Sequence, residues 1–232
     1  MSLTVVPVRS SSDMKKFIRL PWKIYKGNKC WVPPLIKDLM DTLNRDKNPV
    51  LNKIEFELFL AFLDGEPVGR IYAGIDKDLN AKKGSKAGFF SLLECIDNYD
   101  VFKLLLDTAS DWLKDRNISV IKGPVPPTGT DDDEYKGLLI DCFDRPPVLM
   151  TSYNPPYYKD FLEKYGFEKD QDLYAYFLDA KEIFSKDPSK VIEYAKKKYN
   201  FRVDPIDLKN IEKEIRDLKY VLDLAVPEEW PD

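Results

Sequence analysis

Residues 55 to 76 restrict the fold more than any other stretch of the chain. Glu55-Phe-Glu-Leu-Phe-Leu-Ala-Phe-Leu is an apolar run of strand length, Asp64-Gly65 is a turn dipeptide, and Val68-Gly-Arg-Ile-Tyr-Ala-Gly-Ile is a second apolar run. Two such runs across a two-residue turn close as an antiparallel hairpin. The polar stretch from Asp76 to Lys86 reads as a loop. Gly88-Phe-Phe-Ser-Leu-Leu-Glu-Cys then reads as an inner strand of the same sheet.

The remaining elements follow from periodicity and punctuation. Residues 3 to 9 read as a first strand. Ser11-Ser12-Asp13 offers an N-cap for a helix through Phe17, Ile18 and Trp22, bent or broken near Pro21. Leu35, Ile36, Leu39, Met40 and Leu43 predict a second helix over 35–43. From Val101 to Arg116, the residues Phe102, Leu105, Leu106, Ala109, Trp112 and Leu113 make one apolar helical face. Ile118 to Ile121 reads as a short buried strand, and Gly123 to Glu134 as a loop rich in proline and acid. Pro155 or Pro156 can open a helix that stops at Gly166. Leu173 to Leu178 reads as a strand, and helices are expected near 188–198 and 207–224. This order predicts an α/β fold with a mixed, mostly antiparallel sheet flanked by helices on both faces. The division expected is a domain over 1–180 and a helical C-terminal extension over 181–232.

Composition narrows the function. The 232 residues carry a formal net charge of −4, which lacks the basic surplus of a nucleic-acid binder. No apolar run reaches bilayer-spanning length and the N-terminus has no signal-peptide pattern, so a cytoplasmic chain without a membrane partner is expected. The three cysteines, Cys30, Cys95 and Cys142, are widely spaced, as reduced thiols would be. The chain has no histidine. That removes Ser-His-Asp and Cys-His nucleophiles, histidine-ligated zinc and the usual neutral-pH base. Asp131-Asp132-Asp133-Glu134 lacks the spacing and glycine of a calcium loop and reads as a solvated acidic loop. No metal is expected.

Three stretches resemble the GNAT N-acyltransferase superfamily. They are the hairpin Phe59-Leu-Ala-Phe-Leu-Asp-Gly-Glu-Pro-Val-Gly-Arg-Ile, the strand and helix from Gly88 to Arg116, and Asn154 to Phe167 with its ending Phe161-Leu-Glu-Lys-Tyr-Gly-Phe. Gly123-Pro124 and Tyr153-Asn-Pro-Pro-Tyr-Tyr are similar to a GNAT-like subgroup without an assigned chemistry. The resemblance covers roughly residues 3 to 179. It implies a V-shaped opening between the central strand and the next, parallel strand. Acetyl-CoA or another acyl-CoA would lie there, its pantetheine on backbone near Leu93, Cys95 and Ile96, with Asn154 beside it. Its pyrophosphate would sit on amides at the N-terminus of the following helix.

The chain departs from the family at that helix. The family's phosphate loop has the form Arg/Gln-x-x-Gly-x-Gly/Ala. Cys95-Ile-Asp-Asn-Tyr-Asp-Val-Phe-Lys has no glycine and two acids, Asp97 and Asp100, the latter read as the helix cap. The pyrophosphate loop is thus degenerate, and weak CoA binding is expected. The family's acid tyrosine, four residues before the closing glycine, is Leu162 here; Tyr157, Tyr158 or Tyr165 could stand in. Glu94 is the candidate base and Tyr158 the candidate acid for acylating an amine, of a small molecule or a peptide. Glu94 as a solvated strand-end carboxylate or a salt-bridge partner, Cys95 as a buried thiol and the tyrosines as sheet-edge packing are the structural alternatives. A non-catalytic GNAT-like module and one lobe of a longer two-lobed acyltransferase are the competing functions. The ending Val226-Pro-Glu-Glu-Trp-Pro-Asp reads as a linker into such a lobe, and a homodimer is left open.

Overall fold

The computed structural model describes residues 2–129, 135–181, 187–201, 203 and 205–225. The acidic run at 131–134 and the segment 226–232 lie outside the described residues. The hairpin forms across Asp64-Gly65, pairing β2 (Ile54–Leu63) with β3 (Glu66–Asp76). Strand β1 (Leu3–Pro7) joins the outer side of β2, and β4 (Ala87–Cys95) pairs antiparallel with β3. Strand β5 (Val120–Lys122) lies parallel to β4, giving the order β1-β2-β3-β4-β5.

Each face of the sheet is covered. Helix α4 (Tyr99–Lys114) buries Phe102, Leu105, Leu106, Ala109 and Leu113 against Ile71, Ala73 and Phe90. Gly69 permits this close approach: a Cβ there would meet Leu105 Cδ1 at 2.7 Å. On the other face, α1 (Ser11–Ile24) and α2 (Ile36–Thr42) pack Phe17, Ile18 and Leu39 over Leu58, Leu60 and Tyr72. Helix α5 (Tyr157–Tyr165) follows Pro156 and ends at Gly166, whose φ of 112° suits glycine.

Several expectations need correction. Helix α1 is capped by Ser10, in a reciprocal box with Asp13, and it runs through Pro21 without breaking. The loop expected over 76–86 contains a short helix, α3 (Lys77–Lys83), because Asp76 caps it by accepting from Leu79 N–H at 2.8 Å. Strand β5 is not buried: Val120 is half exposed, since β5 is the sheet edge and stops after three residues. No strand forms at 173–178; a strand needs a ladder partner, and among the described residues none pairs with it. Phe177 there is 93% exposed.

The chain divides into two units, the first ending at Glu168 and the second spanning Lys169–Pro231. The second unit contains α6 (Ser189–Tyr199) and α7 (Ile211–Ala225), both amphipathic, with Val191, Ile215 and Leu218 exposed. No described helix is long and apolar enough to cross a membrane.

The α4 face gives a direct test. Leu106→Ala should lower stability by about 2–5 kcal/mol in urea unfolding, as core Leu→Ala changes do. Lys103→Ala, on the exposed side of the same helix, should stay within about 0.5 kcal/mol. A comparable loss at both positions would contradict the assigned face.

Candidate active site

A bulge in β4 decides which face Glu94 occupies. Tyr72 pairs with Ser91 and Arg70 with Glu94, so the single residue Ile71 faces both Leu92 and Leu93. Leu92 takes the extra position with φ of 49°. Strict alternation would put Glu94 on the same face as Phe90, under α4. The extra residue instead sends Leu93 and Cys95 to the α4 side with Phe90, and leaves Leu92 on the α1 side with Phe89. Glu94 thereby stands beside Arg70, its register partner on β3.

Arg70 is held by helix α1. Pro21 has no N–H, so the carbonyl four residues earlier, that of Phe17, has no helical partner. Arg70 Nη1 donates to that carbonyl at 2.7 Å, and the guanidinium lies over the Phe17 ring at 5.0 Å. The proline expected to break the helix thus frees an acceptor for a buried cation. Arg70 Nε is buried without a partner.

Two phenols converge on one carboxylate oxygen. Tyr25, which caps the end of α1, donates to Glu94 Oε2 at 2.9 Å, and Tyr158 from α5 donates to the same oxygen at 2.9 Å. Tyr158 also accepts from the Cys95 N–H at 2.7 Å. Tyr157 donates to the Cys95 carbonyl at 2.7 Å. These hydroxyls reach β4 because β5 leaves it after Phe89. Burial pushes the Glu94 carboxyl up to about 7, against the opposing pull of Arg70 and the two phenol hydrogen bonds. Burial and the Glu94 charge raise Tyr25 and Tyr158 well above the usual phenol range, so both stay protonated.

A cleft of about 780 Å³, counting its open mouth, has Arg70 and Glu94 among its lining residues. Its walls include Trp31, Val32, Leu92, Leu138 and Pro147. Trp31 is fixed by stacking on Tyr25 at 4.7 Å and by an N–H bond to Asn28 Oδ1 at 3.1 Å. These apolar groups share the lining with Tyr135, Thr151, Ser152 and Tyr153, and the Arg70–Glu94 pair stands among them.

The expected CoA contacts are largely taken. Ile96 N–H bonds to the Val68 carbonyl at 3.0 Å, within the sheet. The Leu93 side chain packs in the α4-side core, as does Cys95, whose thiol burial holds high in pKa. Asn154 is spent on backbone, accepting from Leu139 N–H at 2.7 Å and donating to the Pro155 carbonyl at 2.9 Å. At the head of α4 the cap is Asn98, not Asp100. Its Oδ1 accepts from the amides of Asp100 at 2.9 Å and Val101 at 3.3 Å, and Asp100 adds a carboxylate to that first turn. Two of the amides a pyrophosphate would use, those of Asp100 and Val101, are thus already bonded to the Asn98 cap.

Strand β5 runs parallel to β4 and leaves it after three residues, which makes the opening between the central strand and the next, parallel strand that the resemblance implies. The sheet order resembles that of the GNAT superfamily. The chain matches no family model. It is 35% identical over 178 residues to a bacterial ceramide synthase of Caulobacter vibrioides, covering 76% of this chain and 46% of that protein. It is 30% identical over 222 residues to Protein YghO of Escherichia coli K12, covering 95% of this chain and 55% of that protein. The chain spans about half the length of these curated relatives. Among solved structures, an aminoglycoside acetyltransferase from an uncultured soil metagenomic sample matches at 14% identity and a TM-score of 0.46. That alignment covers 76% of this chain and 95% of the acetyltransferase, a likeness of outline only.

Glu94 and Tyr158, singled out from the sequence, meet in this cleft. Tyr165 lies elsewhere, donating to Asp107 at 3.0 Å. Tyr25 and Arg70 were missed. The one local signal for Arg70 was a charge in the middle of an apolar strand.

The raised Glu94 pKa has a stability consequence. The fold favours the neutral carboxyl, so this contribution is complete below the ordinary value of 4.5 and is lost as pH rises through about 7. Thermal unfolding should therefore show stability falling between these limits. Glu94→Gln keeps an oxygen for both phenols and should flatten that fall. An unchanged slope in the variant would assign the titration to another group.

Proposed function

We propose that this chain forms an N-acyltransfer site in which an amine attacks a thioester. The observation that carries the reading is Glu94, a carboxylate poised near neutrality and held by two phenols in a partly apolar cleft. Such a group is matched to taking a proton from an amine. The amine nitrogen bonds to the thioester carbonyl carbon, and its proton passes to the Glu94 carboxylate. The carbon–sulfur bond then breaks. Tyr158 protonates the departing thiolate and recovers a proton from Glu94 across their hydrogen bond. The products are an amide and a free thiol.

The similarity to a ceramide synthase supports an amphiphilic acceptor. A ceramide is the amide of a long-chain amine, and the walls formed by Trp31, Val32, Leu92 and Leu138 suit an apolar chain. The donor is a thioester whose nucleotide end is not held at the head of α4. A non-catalytic module is the second reading, favoured by the Asn98 cap and by the hydroxyls occupying the Cys95 backbone. A site completed by a further lobe is consistent with relatives about twice as long.

Incubating the chain with a long-chain acyl-CoA and a long-chain amine, and following released thiol, tests the first reading. Glu94→Gln should lower kcat by about 100-fold or more and abolish a rising limb near the Glu94 pKa, the range for loss of a general base. Absence of turnover by the wild-type chain would leave the module reading standing. Calorimetric titration with CoA should give a Kd weaker than about 100 μM, roughly −5.5 kcal/mol. Tight binding, with the pyrophosphate on the amides of residues 99–101, would overturn the assignment of the donor end.

A further inference from the structure

We propose that the basic side of α1 and the apolar segment after it, residues 31–35, dock the first unit on an anionic membrane surface. Residues 10–30 carry six cations, Lys15, Lys16, Arg19, Lys23, Lys26 and Lys29, and one acid, Asp13, in a chain whose net charge is −4. All six cations are exposed. Ser12, Lys15, Lys16, Arg19 and Lys23 recur at helical spacing and share one side of α1. They line a groove of about 630 Å³, counting its open mouth, and no carboxylate lines it. Phe17 and Ile18 face the sheet instead, which leaves the basic side outward. Lys16 lies 3.6 Å from Asp13, and Lys23 pairs with Glu66 at 3.1 Å. Among the described residues Lys15, Arg19, Lys26 and Lys29 form no ion pair.

The segment after α1 supplies the apolar part. Trp31 packs edge-on against Trp22, with ring centroids 5.4 Å apart. Trp22 lies three residues past Arg19 and seven past Lys15, on the same side of the helix. Trp31-Val-Pro-Pro-Leu therefore begins where the basic side ends, and Val32 is 56% and Leu35 69% exposed. Cations beside exposed aliphatic side chains fit an anionic bilayer. Its headgroups attract each cation, at about 5-fold in binding apiece, and its acyl boundary takes the apolar side chains. An acidic protein would answer the charges but would leave Val32 and Leu35 in water unless it carried a matching apolar pocket. Trp31 and Val32 also line the cleft, so a bilayer bound here lies at its rim. Docking of this kind needs no spanning segment. The expectation of a chain without a membrane partner rested on span length and does not bear on it.

The test is sedimentation of the full chain with vesicles of phosphatidylcholine alone and of equal parts phosphatidylcholine and phosphatidylglycerol. Polyglutamate serves as the acidic-protein probe. The chain should bind the anionic vesicles about 10-fold or more tightly than the neutral ones. Salt at about 0.5 M should weaken this binding, because the Debye length falls to about 4 Å. Lys15→Ala combined with Arg19→Ala should lower anionic binding about 10-fold or more. Lys82→Ala combined with Lys159→Ala, exposed lysines of α3 and α5, should leave it unchanged. Leu35 is the N-cap of α2 and makes no side-chain cap bond, so Leu35→Ser keeps the helix and should weaken the binding that remains at high salt. Equal binding to both vesicle types, or an equal loss in the two double variants, overturns the proposal. Binding to polyglutamate without binding to anionic vesicles overturns it in favour of an acidic protein partner. An unchanged Leu35→Ser overturns the part assigned to residues 31–35. No substrate is present, so none of these outcomes touches the acyltransfer reading.

Discussion

The bulge at Leu92 is the constraint on which the site depends. One inserted residue exchanges the faces of everything after it on β4. Without it, Glu94 would lie in the α4-side core among Phe102, Leu105 and Leu106, where an unpaired carboxylate is costly. With it, Glu94 opposes Arg70 and receives two phenols. The same strand is left open at its other edge because β5 ends after three residues. Charge on one face and an edge backbone met by tyrosine hydroxyls therefore come from two local irregularities in an otherwise regular sheet.

The charged pair is supported from elements far apart in the chain. Pro21 in α1 removes a donor, and Arg70 in β3 replaces it at the Phe17 carbonyl. Tyr25 at the end of α1 and Tyr158 in α5 both bond Glu94 Oε2. Each bond links a helix to the centre of the sheet, so the geometry of the carboxylate reports on the packing of both faces. Burial supplies the free energy that raises its pKa, while the phenols and Arg70 keep the charged form accessible.

The two sides of the cleft are built differently. One side holds the Glu94 carboxyl and the Arg70 guanidinium beside Trp31, Val32 and Leu92. On the other side, hydroxyls fill the backbone of Cys95 and an asparagine fills the amides of α4. Hydrogen bonds already made must be broken before a donor can use those groups, and each exchange returns little net free energy.

The sequence by itself determined the elements whose signal is periodic and local. The hairpin across Asp64-Gly65, the inner strand at 87–95, the buried face of α4 and the stop at Gly166 were all legible, because turn chemistry and apolar spacing act over a few residues. Glu94 and Tyr158 were legible as candidates through residue type and position along their elements. Tertiary structure alone decided their meeting. Tyr25 and Glu94 are 69 residues apart, and nothing local in either marks the other. The bulge carries no glycine to announce it, since Leu92 is held at positive φ by the sheet around it. Arg70 reads as one charge in an apolar strand until Pro21 is placed above it. The run at 173–178 shows the converse: its composition suits a strand, but a strand exists only where another chain segment offers a ladder, and that is a property of the fold and not of the run.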